Sequence, residues 1–228
     1  ERKLMDAAKL YRDVPENVSE TIWGGKKLIE EYGVKTEKNN AAEGWMLSCH
    51  EAGSSVVANG EFAGKMFADV VKENPILCGK NAENFSDFPI LIKFIDAMDN
   101  LSVQVHPTKE YCEKTGKGQS KTECWYILRK RDENAYVYLG FKEYVTKEYF
   151  AQLFKKQDVD GMLECMHKIR VNVGDVILVN GGTPHAIGAG CFLLEIQEPT
   201  DYTMRAEKTT VAGEVLTPMQ IHYGVGEE

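Results

Sequence analysis

The 228-residue chain contains 43% hydrophobic and 27% charged residues, which excludes an intrinsically disordered chain and allows one sizeable hydrophobic core. Its formal net charge of −8 at pH 7 argues against a nucleic-acid partner or an anionic membrane, because both favour a basic protein face. The sequence shows no run of about 18 apolar residues and no signal-peptide pattern, so neither a transmembrane helix nor export is predicted.

The first half of the chain is predicted to alternate short strands with turns and helices. A short helix over residues 27–32 is followed by a polar loop over 35–40, and Asn59-Gly60 is typical of a hairpin turn. Residues 64–73 place apolar side chains at helical spacing. Strands are predicted over residues 43–49, 54–58, 88–95 and 101–106.

The second half of the chain carries further strand patterns around two helical ones. The helices are predicted over 146–157 and 158–168. Strands are predicted over residues 121–128, 135–139, 176–179 and 191–197. Many short strands with glycine and asparagine turns, interrupted by a helical segment, predict a mainly β barrel or sandwich with α-helical additions.

The six cysteines indicate the redox environment of the chain. They are widely spaced, form no C-x-x-C pair and lie at positions 49, 78, 112, 124, 165 and 191. In a chain of this size without an export signal, this usage predicts free thiols in a reducing cytoplasm.

Gln104 and His106 form the first candidate half of a metal site. They lie two residues apart in a predicted strand, so both side chains point to the same face, and Ser102 joins them if the strand extends that far. A single histidine in a strand is more often a hydrogen-bonded core residue, so this signal is weak by itself.

Lys121 and Glu123 likewise share one face of the next predicted strand. An inward charge among apolar neighbours is costly unless it is paired or bound to a metal ion. A surface Lys–Glu pair on an edge strand is the alternative interpretation, but the apolar residues on both sides do not favour it.

The third segment presents His185 after a glycine-rich bend at the end of an apolar strand. The order Gly174, Gly182, His185 resembles the second conserved motif of cupins, in which a histidine completes a metal site inside a small barrel. Asn180 stands where that motif usually has a proline, and Ala189 replaces an asparagine that often closes it.

Together, the three segments supply an amide oxygen, two imidazoles and a carboxylate. The four residues are Gln104, His106, Glu123 and His185. This donor set suits zinc and leaves room for water or substrate, although iron and manganese accept similar ligands. The other histidines, His50, His167 and His222, lack such partners in the sequence and are predicted to be structural or surface residues.

Five motifs in order make the chain resemble a known family. They are Trp23-Gly24-Gly25, Gln104-Val105-His106-Pro107, Lys121–Tyr126, Pro184-His185-Ala186 and Glu195–Arg205. Over about residues 20–210, the chain is similar to type I mannose-6-phosphate isomerases of the shorter bacterial kind. That resemblance implies a cupin-type β-barrel (jelly roll) that spans residues 1–228, with the family's C-terminal β domain absent or incomplete.

The resemblance also implies roles for individual residues. Gln104, His106, Glu123 and His185 match the family's zinc ligands, with one Zn²⁺ per chain. Arg205 matches the active-site arginine and Lys121 the motif lysine. Members of the family interconvert mannose 6-phosphate and fructose 6-phosphate, so a small sugar phosphate is the expected partner.

The reaction expected from the resemblance is proton transfer between C1 and C2 through an enediol(ate). Zn²⁺ and Arg205 would stabilise the developing negative charge. Glu195, Lys121 or a zinc-bound water could serve as base, and Ser102, Lys121 and Lys208 are candidates for phosphate binding. Ser102 and Glu195 are thus expected to bind substrate.

Two other functions stay open at the level of sequence. A cupin dioxygenase would use Fe²⁺ and consume oxygen, and a non-catalytic cupin would bind a sugar phosphate without isomerising it. Lys121 and Arg205 beside the metal-binding residues favour the isomerase.

Overall fold

A computed structural model describes residues 10–11, 18–19, 21, 23–80, 85 and 88–208. Its strands, in chain order, are β1 (Leu10–Tyr11), β2 (Val18–Ser19), β3 (Glu43–Leu47), β4 (Val56–Val57), β5 (Leu91–Asp96), β6 (Gln104–Val105), β7 (Glu123–Lys130), β8 (Tyr136–Phe141), β9 (Met166–Arg170), β10 (Val176–Val179), β11 (His185–Ile187), β12 (Cys191–Gln197) and β13 (Met204–Arg205). Its helices are α1 (Lys27–Glu30), α2 (Phe67–Glu73), α3 (Lys109–Thr115), α4 (Lys147–Lys156) and α5 (Val159–Glu164), with a 3₁₀ turn at Pro75–Cys78.

Two antiparallel sheets organise the fold. One has six strands in the order β10-β7-β12-β5-β3-β2, and the other has five in the order β13-β6-β11-β8-β9. Strands β1 and β4 form a separate two-stranded ladder. Because successive side chains in a strand point to opposite faces, each large sheet can direct one face towards the other.

The main apolar core contains residues from both large sheets. Ile95, Ile127 and Leu193 come from the six-stranded sheet, and Val137 and Ile187 come from the five-stranded sheet; all five are at most 1% exposed. Burial of each such side chain stabilises the fold by about 1.5–3 kcal/mol relative to exposure. The prediction of a mainly β fold is confirmed.

The helical segment packs on the other face of the five-stranded sheet. Leu153 of α4 and Met162 of α5 share an apolar cluster with Tyr138 of β8 and Ala186 of β11. A second cluster places Leu28 of α1 against the outer face of the six-stranded sheet. These helices cover apolar side chains that alternate with those of the main core.

The predicted helix over residues 158–168 is wrong at its C-terminal end. Helix α5 ends at Glu164, and Met166–Arg170 forms β9 instead, paired antiparallel with β8. Met166 still packs in the same cluster as the helix residues, which explains why its spacing suggested a helix. Strand pairing satisfies the backbone groups of β8 that a longer helix would leave open.

Other boundaries also differ from the sequence prediction. Helix α2 begins at Phe67, three residues later than expected. Of the predicted strand 101–106, only Gln104–Val105 is a strand, since Val103 N donates to the side chain of Glu207. In the described part of the chain, no helix combines the length and the apolar character needed to cross a membrane.

Candidate metal and active site

Four side chains converge where the two large sheets meet. Gln104 of β6 lies opposite His185 of β11 in their ladder, His106 follows β6, and Glu123 begins β7 of the other sheet. His106 Nε2 is 3.1 Å from Glu123 Oε2, and His185 Nε2 is 3.4 Å from Glu123 Oε1. Gln104 Nε2 lies 3.2 Å from His185 Nε2. The cluster therefore joins the two sheets.

Two glycines allow the chain to bring His185 beside His106. Gly182 has a φ of +82°, a conformation that favours glycine. A Cβ on Gly181 would lie 2.6 Å from the carbonyl oxygen of Pro107. Gly182 N donates to His106 O at 2.7 Å. This close approach explains the glycine pair before His185.

Burial keeps both imidazoles neutral at pH 7. It lowers the pKa of His106 to about 4 and the pKa of His185 below its ordinary value. His185 Nδ1 lies 2.8 Å from the carbonyl oxygen of Thr183, so Nδ1 donates and the lone pair of Nε2 faces the cluster. Neutral imidazoles with this orientation can bind a metal ion.

Glu123 is the anionic member of the cluster. Burial alone would raise its pKa, but Lys121 and the two neighbouring imidazoles hold the pKa of this carboxyl below its usual range. Lys121 Nζ lies 3.2 Å from Glu123 Oε2, and Lys121 is only 3% exposed. The carboxylate is therefore ionised at neutral pH and available as a ligand.

The donor atoms of this cluster fit a cation. His106 Nε2 and both carboxylate oxygens of Glu123 are buried and make no geometrically aligned hydrogen bond, although His106 Nε2 and Lys121 Nζ lie 3.1 Å and 3.2 Å from Glu123 Oε2. Buried polar atoms without an aligned hydrogen bond are rare and costly. The ligand atoms of His106, Glu123 and His185 lie within 4.8 Å of one another, so one metal ion could satisfy them together.

Arg205 lies in the same cross-strand row as two of these residues. It is opposite Gln104 in the ladder of β13 with β6, and Gln104 is opposite His185. Directly opposite residues of antiparallel strands present their side chains to the same face. The half-buried arginine is thus on the sheet face that carries Gln104 and His185.

Glu195 belongs to a buried polar chain next to the cluster. Its Oε1 is 3.0 Å from Lys93 Nζ, and its Oε2 accepts a hydrogen bond from Trp125 Nε1 at 2.9 Å. Burial and the charge of Glu123 raise the pKa of Glu195. The Trp125 ring in turn meets the His185 ring edge-on at 5.5 Å between centroids.

Ser102 and Lys208 lie outside the strands that carry the cluster. Ser102 is half-buried and precedes β6. Lys208 Nζ lies 5.5 Å from the centre of the Phe154 ring of α4, on the helical side of the five-stranded sheet. Of the remaining histidines, His167 is exposed, and His222 lies outside the described residues.

Lys93 and Trp125 are residues of this region that the sequence prediction missed. Lys93 is largely buried, and besides Glu195 it pairs with Glu43 Oε2 at 3.4 Å. Burial would lower its pKa, but Glu195 and Glu43 together raise it. A signal was present: Lys93 is a charged residue within the apolar run 88–95, where an unpaired charge would be costly.

The fold and the cluster together define a mainly β, cupin-type protein with a candidate metal centre between its sheets. The family model for the catalytic domain of phosphomannose isomerase type I matches residues 13–148. The chain belongs to this family.

Named relatives agree with the family match. The probable mannose-6-phosphate isomerase GmuF of Bacillus subtilis is 40% identical over 190 residues, covering 82% of this chain and 57% of the relative. The mannose-6-phosphate isomerase of Streptococcus mutans is 40% identical over 184 residues, covering 81% and 56%. The chain therefore spans little more than half the length of these relatives.

A solved structure supports the fold assignment. The mannose 6-phosphate isomerase from Bacillus subtilis superposes with a TM-score of 0.77 at 28% identity, covering 92% of this chain and 67% of that one. This likeness confirms the prediction of a cupin-type fold with a helical insertion.

Proposed function

We propose that the chain carries the active site of a zinc-dependent mannose-6-phosphate isomerase, which interconverts mannose 6-phosphate and fructose 6-phosphate. The observation that carries the proposal is the buried cluster of His106, Glu123 and His185, in which donor atoms of His106 and Glu123 lack an aligned hydrogen bond. The names of relatives that are 40% identical support the choice of substrate.

One zinc ion per chain is the proposed cofactor, held by Gln104, His106, Glu123 and His185. Two neutral imidazoles, a carboxylate and an amide oxygen form a donor set that suits zinc. The Gln104 amide, whose Nε2 faces His185 Nε2, would have to turn over to present its oxygen to the ion. When bound, the ion would polarise the C1 and C2 oxygens of the sugar. His185 Nδ1 donates a hydrogen bond to the Thr183 carbonyl oxygen. The other ring nitrogen, Nε2, therefore remains available to bind the zinc ion.

Arg205 is proposed to stabilise the charge that develops during proton transfer. From the open-chain aldose, a base takes the proton from C2, and negative charge develops on the C1 oxygen as an enediolate forms. A proton then moves from the C2 oxygen to the C1 oxygen, and the base returns its proton to C1 as the C2 carbonyl forms. The guanidinium stays charged at any working pH, so it offers a fixed positive charge at that oxygen. Its place in the row with Gln104 and His185 supports this role.

Lys121 is proposed as a second catalytic group that holds a proton beside the reacting oxygens. Its amine lies next to Glu123 in a buried setting. Ser102 and Glu195 are proposed to bind substrate, Ser102 through its hydroxyl at the phosphate. Because both oxygens of Glu195 lie beside Lys93 and Trp125, its contribution would include ordering those two side chains.

A cytoplasmic location is also proposed. All six cysteines lie in the described part of the chain and are free thiols, in agreement with a reducing compartment.

A coupled assay of mannose 6-phosphate isomerisation by the full-length protein tests this function. Turnover should disappear after chelation and return on addition of Zn²⁺. Oxygen consumption with bound iron would instead indicate a cupin dioxygenase. Binding of the sugar phosphate without turnover, with zinc present, would indicate a non-catalytic protein and contradict the proposal.

A further inference from the structure

The segment that carries Arg205 is attached to helix α4 by one side chain. Gln157, directly after α4, donates from Nε2 to the carbonyl oxygen of Ala206 at 3.1 Å and accepts at Oε1 from Lys208 N at 2.6 Å. The primary amide thereby makes the pair of hydrogen bonds that a neighbouring strand would make with residues 206–208.

Gln157 makes these bonds from an unfavourable backbone conformation. Its φ of 55° and ψ of 40° are left-handed, and it is the one non-glycine residue with positive φ in the described part of the chain. Glycine is the usual residue at this position after a helix. The side chain also donates to Phe154 O at 2.7 Å. A strained residue whose side chain is fully engaged suggests that the amide itself is required there.

The same segment is also bonded to the residue before β6. Ala206 N donates to Val103 O at 2.8 Å, and Glu207 Oε1 accepts from Val103 N at 2.6 Å. Val103 directly precedes Gln104, the residue opposite Arg205. The segment is thus held both by Val103 and by Gln157.

We propose that Gln157 is a positioning residue for Arg205. By holding Ala206 and Lys208, it keeps the arginine in the row with Gln104 and His185. The catalytic importance of this arrangement rests on the proposed function, whereas the attachment itself does not. The helical insertion thereby contributes to the active site in addition to covering the sheet.

The test compares Gln157→Gly with Gln152→Gly in the full-length, zinc-loaded protein. Glycine suits the backbone at position 157, so this variant should fold while losing the amide. Gln152 is exposed on the same helix, and its replacement loosens α4 without touching the Arg205 segment. Misplacing a catalytic group by about 1 Å can cost about a hundredfold in rate. We therefore expect kcat to fall about tenfold to a hundredfold for Gln157→Gly, with KM and zinc content unchanged, and to stay near wild type for Gln152→Gly.

A double variant separates positioning from general loosening. In an Arg205→Ala background, Gln157→Gly should cause no further loss of kcat, because residues that act through one another are not additive. Equal losses in Gln152→Gly, a kcat for Gln157→Gly within about twofold of wild type, or full additivity with Arg205→Ala would each overturn the proposal.

Amide hydrogen exchange provides a readout that does not depend on turnover. Loss of the Gln157 hydrogen bonds should speed exchange at the Lys208 amide by about tenfold, while the core strands keep their protection. Unchanged exchange at Lys208 would show that Gln157 does not hold the segment. If the wild-type protein fails to isomerise mannose 6-phosphate, the proposed function fails, and this measurement still decides whether the attachment exists.

Discussion

The same strands build an apolar half and a polar half of the space between the two sheets. On β7, Ile127 lies in the main core and Glu123 lies in the cluster; on β11, Ile187 and His185 divide in the same way. Because residues two apart share a face of a strand, a core residue and a candidate ligand lie only two or four positions apart on the same strand. The alternation that stabilises the fold also aims the candidate ligands.

The two halves differ in what their burial contributes. Apolar side chains in the core stabilise the protein as they leave water. In the polar half, the ionisable side chains of Glu123, Lys93 and Glu195 are buried. Ion pairs with neighbouring side chains offset the cost of burying them. Removing one member there leaves the others unpaired. Substitutions in the two halves should therefore affect different properties.

The largest effect on activity is expected for His185→Ala. The variant loses a proposed zinc ligand from the centre of the cluster, and metal chemistry is worth several kcal/mol of transition-state stabilisation, so kcat/KM should fall by about a thousandfold or more. Steady-state kinetics with mannose 6-phosphate provides the measurement. His167→Ala, at an exposed position on β9, is the control. Retained activity in His185→Ala would contradict the assignment of the polar half.

A smaller loss of activity is expected for Arg205→Ala. Removing one preorganised charge-stabilising group typically lowers kcat by about 10²–10³, and the zinc content should stay at the wild-type level. The control is Arg129→Ala, an exposed arginine at the far end of β7. If zinc were lost together with activity, Arg205 would be needed to build the site and not only to stabilise charge.

In the apolar half, Ile127→Val should affect stability alone. Removal of one buried methylene typically lowers the free energy of unfolding by about 0.5–1.5 kcal/mol. Urea unfolding measures this change, while kcat of the folded protein in the isomerase assay should match wild type. A clear fall in kcat would mean that the two halves are coupled more tightly than their separate clusters suggest.

The smallest effect is expected for Glu207→Gln, and it should depend on pH. Burial raises the pKa of Glu207 above the ordinary 4.5, although the Val103 N–H and Arg205 act in the other direction. As the pH rises above 4.5, Glu207 loses its proton more readily in the unfolded chain than in the folded protein. The free energy of unfolding therefore falls as the pH rises through this range. Glutamine keeps an acceptor for Val103 N without a charge.

The urea midpoint of Glu207→Gln should therefore exceed that of wild type near neutral pH and approach it in acid. Glu143→Gln, at an exposed position, serves as the matched control. A gain that persisted in acid would show that the difference does not come from ionisation.

Much of this fold follows from local patterns in the sequence. Strands β10 and β12 have the predicted bounds, because apolar runs between glycine-containing turns leave little choice of structure. Strand β11 was missed, since a three-residue strand after a glycine bend forms only through pairing with β8 and β6. Met166 was assigned to a helix because its apolar spacing fits either structure.

The candidate site divides in a similar way. Gln104, His106, Glu123 and His185 could be selected from residue type and from family motifs. Lys93 could have been selected from its charge within an apolar run. The role of Gln157 could not have been predicted, because its hydrogen bonds join residues about fifty positions apart. No local sequence pattern indicates such contacts.

Zinc stoichiometry, measured by elemental analysis after dialysis, decides whether the cluster of His106, Glu123 and His185 is a metal site. We expect about one Zn²⁺ per chain for wild type, for Ile127→Val and for Arg205→Ala, and close to none for His185→Ala. A wild-type protein that binds no zinc, or a His185→Ala variant that retains it fully, would contradict the proposed zinc site.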